Sequence, residues 1–160
     1  MQTTSSFATV TTGTALKTML QLKPGTTNSI AIVEWGISFD GSAAATPLKV
    51  ELIETDVAAT VTASVANDIT KLDSDALNSG DPTTSNISVG TAATGYTASA
   101  EGTITAVRNL DGPQLIAPTN QFIHQFPLGQ EPIIQPSKFA RIRLLAGAAV
   151  NCYCYLKIRI

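Results

Sequence analysis

The sequence predicts an all-β fold, a single antiparallel β-sandwich of jelly-roll type with one long irregular loop. Three observations predict it. Apolar side chains recur at every second residue in stretch after stretch, the period of a strand with one buried face. Turn-forming steps such as Pro24-Gly25, Asp40-Gly41 and Pro127-Leu128-Gly129 cut those stretches at short intervals. The helical period is nearly absent, and roughly eight short strands in one domain are the pattern of two packed sheets.

Residues 1–13 are rich in Ser and Thr and are expected to form a flexible N-terminal arm, with the sandwich domain taking 14–160. TALKTMLQLK (14–23) sets Leu16, Leu20 and Leu22 on one parity. SIAIVEWGISF (29–39) aligns Ala31, Val33, Trp35, Ile37 and Phe39, which puts the single tryptophan in the core. PLKVELIET (47–55) alternates Leu48, Val50 and Leu52 with Lys49 and Glu51, and TVTASV (60–65) is a short strand. Residues 66–101 break the rhythm. Small polar residues, the Asp81-Pro82 step and Gly80, Gly90 and Gly95 predict a long excursion with little regular structure. Such a loop in a compact domain carries function or is ordered by a neighbour. Pairing resumes with GTITAVRNL (102–110), QLIAP (114–118), QFIHQF (121–126) and KFARIRLLA (138–146), with a turn at Asp111-Gly112-Pro113.

The closing stretch AVNCYCYLKIRI (149–160) shows the alternation most clearly. Val150, Cys152, Cys154, Leu156, Ile158 and Ile160 take one face; Asn151, Tyr153, Tyr155, Lys157 and Arg159 take the other. Both cysteines therefore point into the core, where a thiol behaves as a small hydrophobe. At this spacing their Cβ atoms sit about 7 Å apart, too far for an unstrained disulfide. With His124 the one histidine in the chain, a zinc ligand set is not expected, and neither is any other cofactor.

Composition bounds the function. Charged residues make up 14% of the chain, against about 25% in ordinary soluble domains. A surface covered by Thr, Ser, Ala and Gly is cheap to desolvate and lacks the charge that keeps monomers apart, so association is expected. A net charge of −2 argues against nucleic acid as a direct partner. No apolar run approaches a membrane span, and the N-terminal residues lack the pattern of a secretory leader. Charge is also segregated along the chain. All twelve acids lie in 34–131, and 138–160 carries five bases with no acid, which predicts a basic side and an acidic side.

Catalytic signatures are missing. His124 shares its parity with Phe122 and Phe126, and no nucleophile or carboxylate is placed beside it by the sequence, so a packed or interfacial histidine is expected and not an enzyme. Asp73, Asp75, Asn78 and Asp81 suggest a calcium loop, but Leu77 falls at a ligand position and Asn78 where the turn glycine belongs, so a solvated acidic loop is the better reading. Tyr153, Tyr155, Lys157 and Arg159, with Arg141 and Arg143 on an expected neighbouring strand, interleave rings and cations. Protein interfaces favour such residues, and single-stranded nucleic-acid platforms also use them. These six are the candidate interface.

Five segments taken together carry a resemblance: VEWGISFDGSAA (33–44), PLKVELIETDVAAT (47–60), TGYTASAEGTITAVR (94–108), QFPLGQEP (125–132) and SKFARIRL (137–144). They resemble a family of small β-sandwich structural proteins of tailed bacteriophages, associated with capsid decoration (cement) proteins. The resemblance implies synthesis in a host bacterial cytoplasm and a place on the virion capsid surface. It also implies a homotrimer bound to the major capsid protein lattice, stiffening the head against internal DNA pressure. The arm 1–13 and the excursion 66–101 are the segments expected to reach neighbouring subunits. The alternatives are a carbohydrate-binding jelly-roll module and a tail-associated structural protein.

Overall fold

The computed structural model, which describes residues 2–4, 9–40, 46–65, 68–70 and 86–160, is an antiparallel β-sandwich with no α-helix among those residues. The strands are β1 (Gln2–Thr4), β2 (Val10–Thr11), β3 (Lys17–Leu22), β4 (Ile30–Phe39), β5 (Leu48–Thr55), β6 (Thr60–Ala63), β7 (Ile69–Thr70), β8 (Gly95–Ala100), β9 (Val107–Ile116), β10 (Gln121–Gln125), β11 (Ile133–Ile134), β12 (Phe139–Leu145) and β13 (Asn151–Arg159). The first sheet runs β10-β4-β13-β1-β7, with β11 also pairing β4 and β2 also pairing β13. The second runs β6-β8-β3-β12-β5-β9.

The inward faces meet in one core. Trp35, Ile37, Cys152, Cys154 and Leu156 of the first sheet are buried together with Leu20, Leu22, Val50, Leu52, Ile142 and Leu144 of the second. Alternation on β5 and β13 is followed as the sequence predicts, and Trp35 and both cysteines are fully buried. On β4 it holds from Trp35 to Phe39 but slips at Val33, where the pairing with β13 shifts register, so that Ile30 and Ile32 join the core in place of the expected Ala31 and Val33. On β3 it breaks. Ile142 pairs with Leu20 but Arg143 pairs with Thr18, so Met19 is an extra residue. A bulge of this kind lets two successive side chains face the same way. Met19 thus joins Leu20 in the core, and Leu16, expected inside, is 43% exposed.

Four other expectations are modified. The stretch from Val107 to Ile116 is one strand where two strands and a turn are expected. Gly112 carries a φ of +98°, its peptide to Pro113 is cis, and the pairing with β5 shifts register on either side of Leu52. A Cβ on Gly112 would lie 2.9 Å from the Val50 carbonyl oxygen, so the close approach and the φ both require glycine. The strand absorbs the turn signal as an irregularity. Residues 102–106, expected in a strand, instead form a loop closed onto Asp56, which accepts from the Thr105 hydroxyl and from the Thr105 and Ala106 N–H groups.

Inside the 66–101 excursion, β8 is regular and lies between β6 and β3, its small polar residues hiding the strand pattern. The calcium candidate at 73–81 lies outside the described residues. Within the expected arm, β1 and β2 both pair with β13, so these residues extend the first sheet. Backbone pairing needs no apolar side chains, which is why a Thr-rich segment can do it.

Candidate interaction surface

The six candidate residues do not form one platform. Strand β12 pairs with β3 and β5 in the second sheet, whereas β13 pairs with β4, β1 and β2 in the first, so these consecutive strands lie on opposite sides of the core. The connection between them crosses from one sheet to the other. Arg141 and Arg143 therefore belong to the outer face of the second sheet, and Tyr153, Tyr155, Lys157 and Arg159 to the outer face of the first. The expectation of six residues on neighbouring strands is corrected accordingly.

Around Thr18, Gln21 and Arg141 the second sheet's outer face is covered by the chain itself. Arg141 has 0% of its side chain exposed. It donates to the carbonyl oxygens of Val57 and Glu101 and forms an ion pair with the Glu101 carboxylate at 3.3 Å. Burial lowers the guanidinium pKa, Glu101 opposes that shift, and neighbouring Arg143 adds to it. Glu101 also accepts from the Thr18 hydroxyl at 2.7 Å. Beside them the Gln21 amide is buried, donating to the carbonyls of Ala59 and Ala93 and accepting from the Ala59 N–H at 2.8 Å. Ala59, Val61 and Ala98 make a small apolar cluster of their own in this layer. Arg143 is paired with Glu51 on the adjacent strand. Buried charges survive because each is hydrogen-bonded and paired. This part of the face is a structural layer.

The first sheet's outer face is open among the described residues. Strand register sets it out in rows: Gln121, Ser38 and Tyr153; Ile123, Gly36 and Tyr155; Gln125, Glu34 and Lys157; Ile133, Ala31 and Arg159. In the second row the Tyr155 ring lies on Gly36, where a Cβ would come within 2.5 Å of the ring. Its hydroxyl donates to Glu34 at 2.7 Å, and Lys157 Nζ reaches the same Glu34 oxygen at 2.7 Å. Burial pushes the Glu34 carboxyl up, but the bonds from Lys157 and Tyr155 outweigh it and the net shift is downward. Burial and the Glu34 charge push the Tyr155 phenol up, so it stays protonated as a donor. Arg159 pairs with Glu131 at 3.2 Å. Ile123 and Ile133 stand exposed at 53% and 45%, and Leu128, in the loop between β10 and β11, at 86%.

Charge segregation along the chain does not become charge segregation in space. Arg141, Arg143, Lys157 and Arg159 meet Glu101, Glu51, Glu34 and Glu131, because the sandwich lays the late basic strands against acid-bearing segments of the middle of the chain. The expectation of a basic and an acidic side does not hold for these residues.

His124 does have a carboxylate partner, which sequence reasoning missed. Its Nδ1 lies 2.5 Å from Asp111, which also accepts the Trp35 indole N–H at 2.9 Å and a hydrogen from the Gln114 amide at 3.2 Å. The His124 ring packs 4.5 Å from the Phe126 ring. In the sequence Asp111 shows only as the start of a turn. Its reach to Trp35, far away in sequence, has no local signal. No group of three or more His, Cys, Asp or Glu side chains among the described residues could hold a metal ion.

Compared with protein-family models, with curated proteins and with solved structures, the chain shows no match.

Proposed function

We propose that the protein is a structural subunit of a virion, a decoration protein that binds the head lattice of a tailed phage and works by association and not by catalysis. The observation that carries this reading is the open outer face of the first sheet. Its charges are already neutralised by the Glu34–Lys157 and Glu131–Arg159 pairs, and it presents Ile123 and Ile133 to solvent beside the half-buried Tyr155. Docking there desolvates little unpaired charge, the condition under which buried contact area contributes to affinity. The resemblance of the β4, β5, β8–β9 and β12 segments to phage decoration proteins, and the low charge content, support the same reading.

Co-sedimentation with undecorated capsids tests it. Saturable binding, with a lattice more resistant to heat or dilution, is the expected result. Protein left wholly in the supernatant at tens of micromolar removes the reading. A rival has one observation in its favour. The Tyr155 ring held against the sheet is the kind of surface on which a pyranose stacks, so a glycan array on the same protein separates a carbohydrate-binding module from a virion subunit.

A further inference from the structure

We infer that a second copy of this chain adds to the open edge of the first sheet, strand β10 lying antiparallel against the partner's β10 about a two-fold axis at Ile123, so that two first sheets become one. This uses the backbone edge of the sheet and not the face offered to the lattice, and it stands whether or not the chain binds a capsid.

Backbone direction defines the edge. The Phe126 N–H bonds the Val33 carbonyl, and the Phe39 N–H bonds the Asn120 carbonyl. Both pairs continue the register that runs from Gln121 opposite Ser38 to Gln125 opposite Glu34. In an antiparallel ladder, hydrogen-bonded pairs alternate with pairs that are not bonded to each other. Asn120, Phe122, His124 and Phe126 therefore turn their N–H and C=O groups toward β4, and Gln121, Ile123 and Gln125 turn theirs outward. Strand β10 ends its sheet, so among the described residues these outward groups meet no further strand.

The other sheet ends are blunted. Strand β9 carries Arg108, the cis Gly112-Pro113 peptide and shifts of register against β5. Strand β6 has four residues and a shift against β8, and β7 has two residues. Shortness, proline, charge and bulges are the usual devices that stop an edge from pairing with another chain. Strand β10 has none of them: QFIHQ keeps unbroken register and contains no proline, Lys, Arg, Asp or Glu. It is also held in place, by the Phe122 ring 5.0 Å from Trp35 and by the bond of His124 to Asp111. A strand already ordered loses little freedom on pairing.

Side-chain order selects the occupant. Gln-Phe-Ile-His-Gln reads the same in kind from either end: amide, ring, isoleucine, ring, amide. Centred on Ile123, an antiparallel second copy sets Gln121 opposite Gln125, Phe122 opposite His124, and Ile123 opposite its own counterpart. The outward residues become the hydrogen-bonded pairs, each exchanging two bonds, roughly six in all. Rings face rings, β-branched side chains meet, and no like charges are opposed, which are the favourable cross-strand matches. A strand of arbitrary sequence can use the backbone groups; a second copy meets every side-chain match by symmetry.

Sedimentation velocity and amide hydrogen exchange on the full chain, at low and at high concentration, test the inference. A pair of 16.7 kDa chains is expected at hundreds of micromolar. On pairing, the amides of Gln121, Ile123 and Gln125 are expected to exchange at least tenfold more slowly, while those of Phe122 and His124, already bonded to β4, stay unchanged. Ile123→Pro removes an outward N–H and no bond to β4, a change that edge strands tolerate. It is expected to weaken pairing at least tenfold with the β-type circular dichroism retained; if it misfolds, the wild-type exchange pattern decides. Leu145→Asp, at an exposed position on β12 inside the second sheet, is expected to leave pairing unchanged. A chain that stays monomeric overturns the inference. So does an oligomer whose outward β10 amides exchange as fast as in the monomer, or one that Leu145→Asp dissolves and Ile123→Pro does not.

Discussion

Trp35 on β4 donates its indole N–H to Asp111 on β9 across 2.9 Å, and this bond ties the first sheet to the second at the edge of the sandwich. Trp35 is fully buried, so its N–H has no water to turn to if Asp111 is lost. Asp111→Ala is expected to destabilise the fold by about 1–3 kcal/mol, the cost of a stranded buried donor. Asp111→Asn keeps an acceptor and is expected to cost less. Urea unfolding followed by Trp35 emission measures both, and a loss under about 0.5 kcal/mol for the alanine variant, within the range of an ordinary surface change, would remove Asp111 from this role.

The Arg141–Glu101 pair predicts an asymmetry between its two partners. Arg141 is 0% exposed and Glu101 24%, so the two leave different residues of charge behind. Glu101→Ala strands a buried guanidinium and is expected to cost about 3–5 kcal/mol. Arg141→Met leaves a carboxylate that water can reach and that Thr18 still binds, so it is expected to cost clearly less. Equal losses in chemical denaturation, or the reverse order, would show that the pair is not held as described.

What the sequence made legible follows from what a two-residue period encodes. It marks which face of a strand is buried, so Trp35, Cys152, Cys154 and the all-β class were readable, and the structure agrees. It does not encode which strands become neighbours. Arg141 and Tyr153 could therefore be read as adjacent although a core separates their sheets. Insertions of one residue also escape it, and Met19 reverses the faces of β3 by a bulge. The partners of the site (Glu34, Glu101, Asp111) were the least legible, because each lies dozens of residues from at least one group that it binds.

Acid is expected to loosen two places. The Glu34 carboxyl is shifted below its ordinary 4.5, and Asp56 is shifted from 3.8 to about 2, chiefly by the Thr105 hydroxyl and the Ala106 N–H. A carboxylate depressed by folding contributes stability above its unfolded pKa and loses it as pH falls through the folded value. Glu34 therefore gives up its share as pH falls below 4.5 through its lowered folded value, and Asp56, which holds the 102–106 loop, gives up its share as pH falls from 3.8 through about 2. Tyr155→Phe removes one of the bonds that lower Glu34, so its titration is expected to move upward. Carboxyl-carbon NMR titration of both proteins checks this, and an unchanged or lower Glu34 midpoint would contradict the bond from Tyr155.

Cys152 and Cys154 set the last prediction. Both are fully buried on the inward face of β13, with their sulfurs 3.9 Å apart, and burial pushes the Cys154 thiol up, away from the reactive thiolate. A thiol reagent needs both access and a thiolate. Access is missing while β13 stays between β4 and the N-terminal strands. Labelling of the native protein is therefore expected to be slow and to follow opening of the sandwich. Added urea should raise the rate in step with the unfolded fraction, and both thiols should react in one phase, since they share a strand and a face. Cys154→Ser places a hydroxyl where the thiol was buried, and is expected to cost about 1–3 kcal/mol unless it finds an acceptor. Fast labelling without denaturant, or one thiol reacting long before the other, would mean that β13 opens locally and is not a fixed central strand of the first sheet.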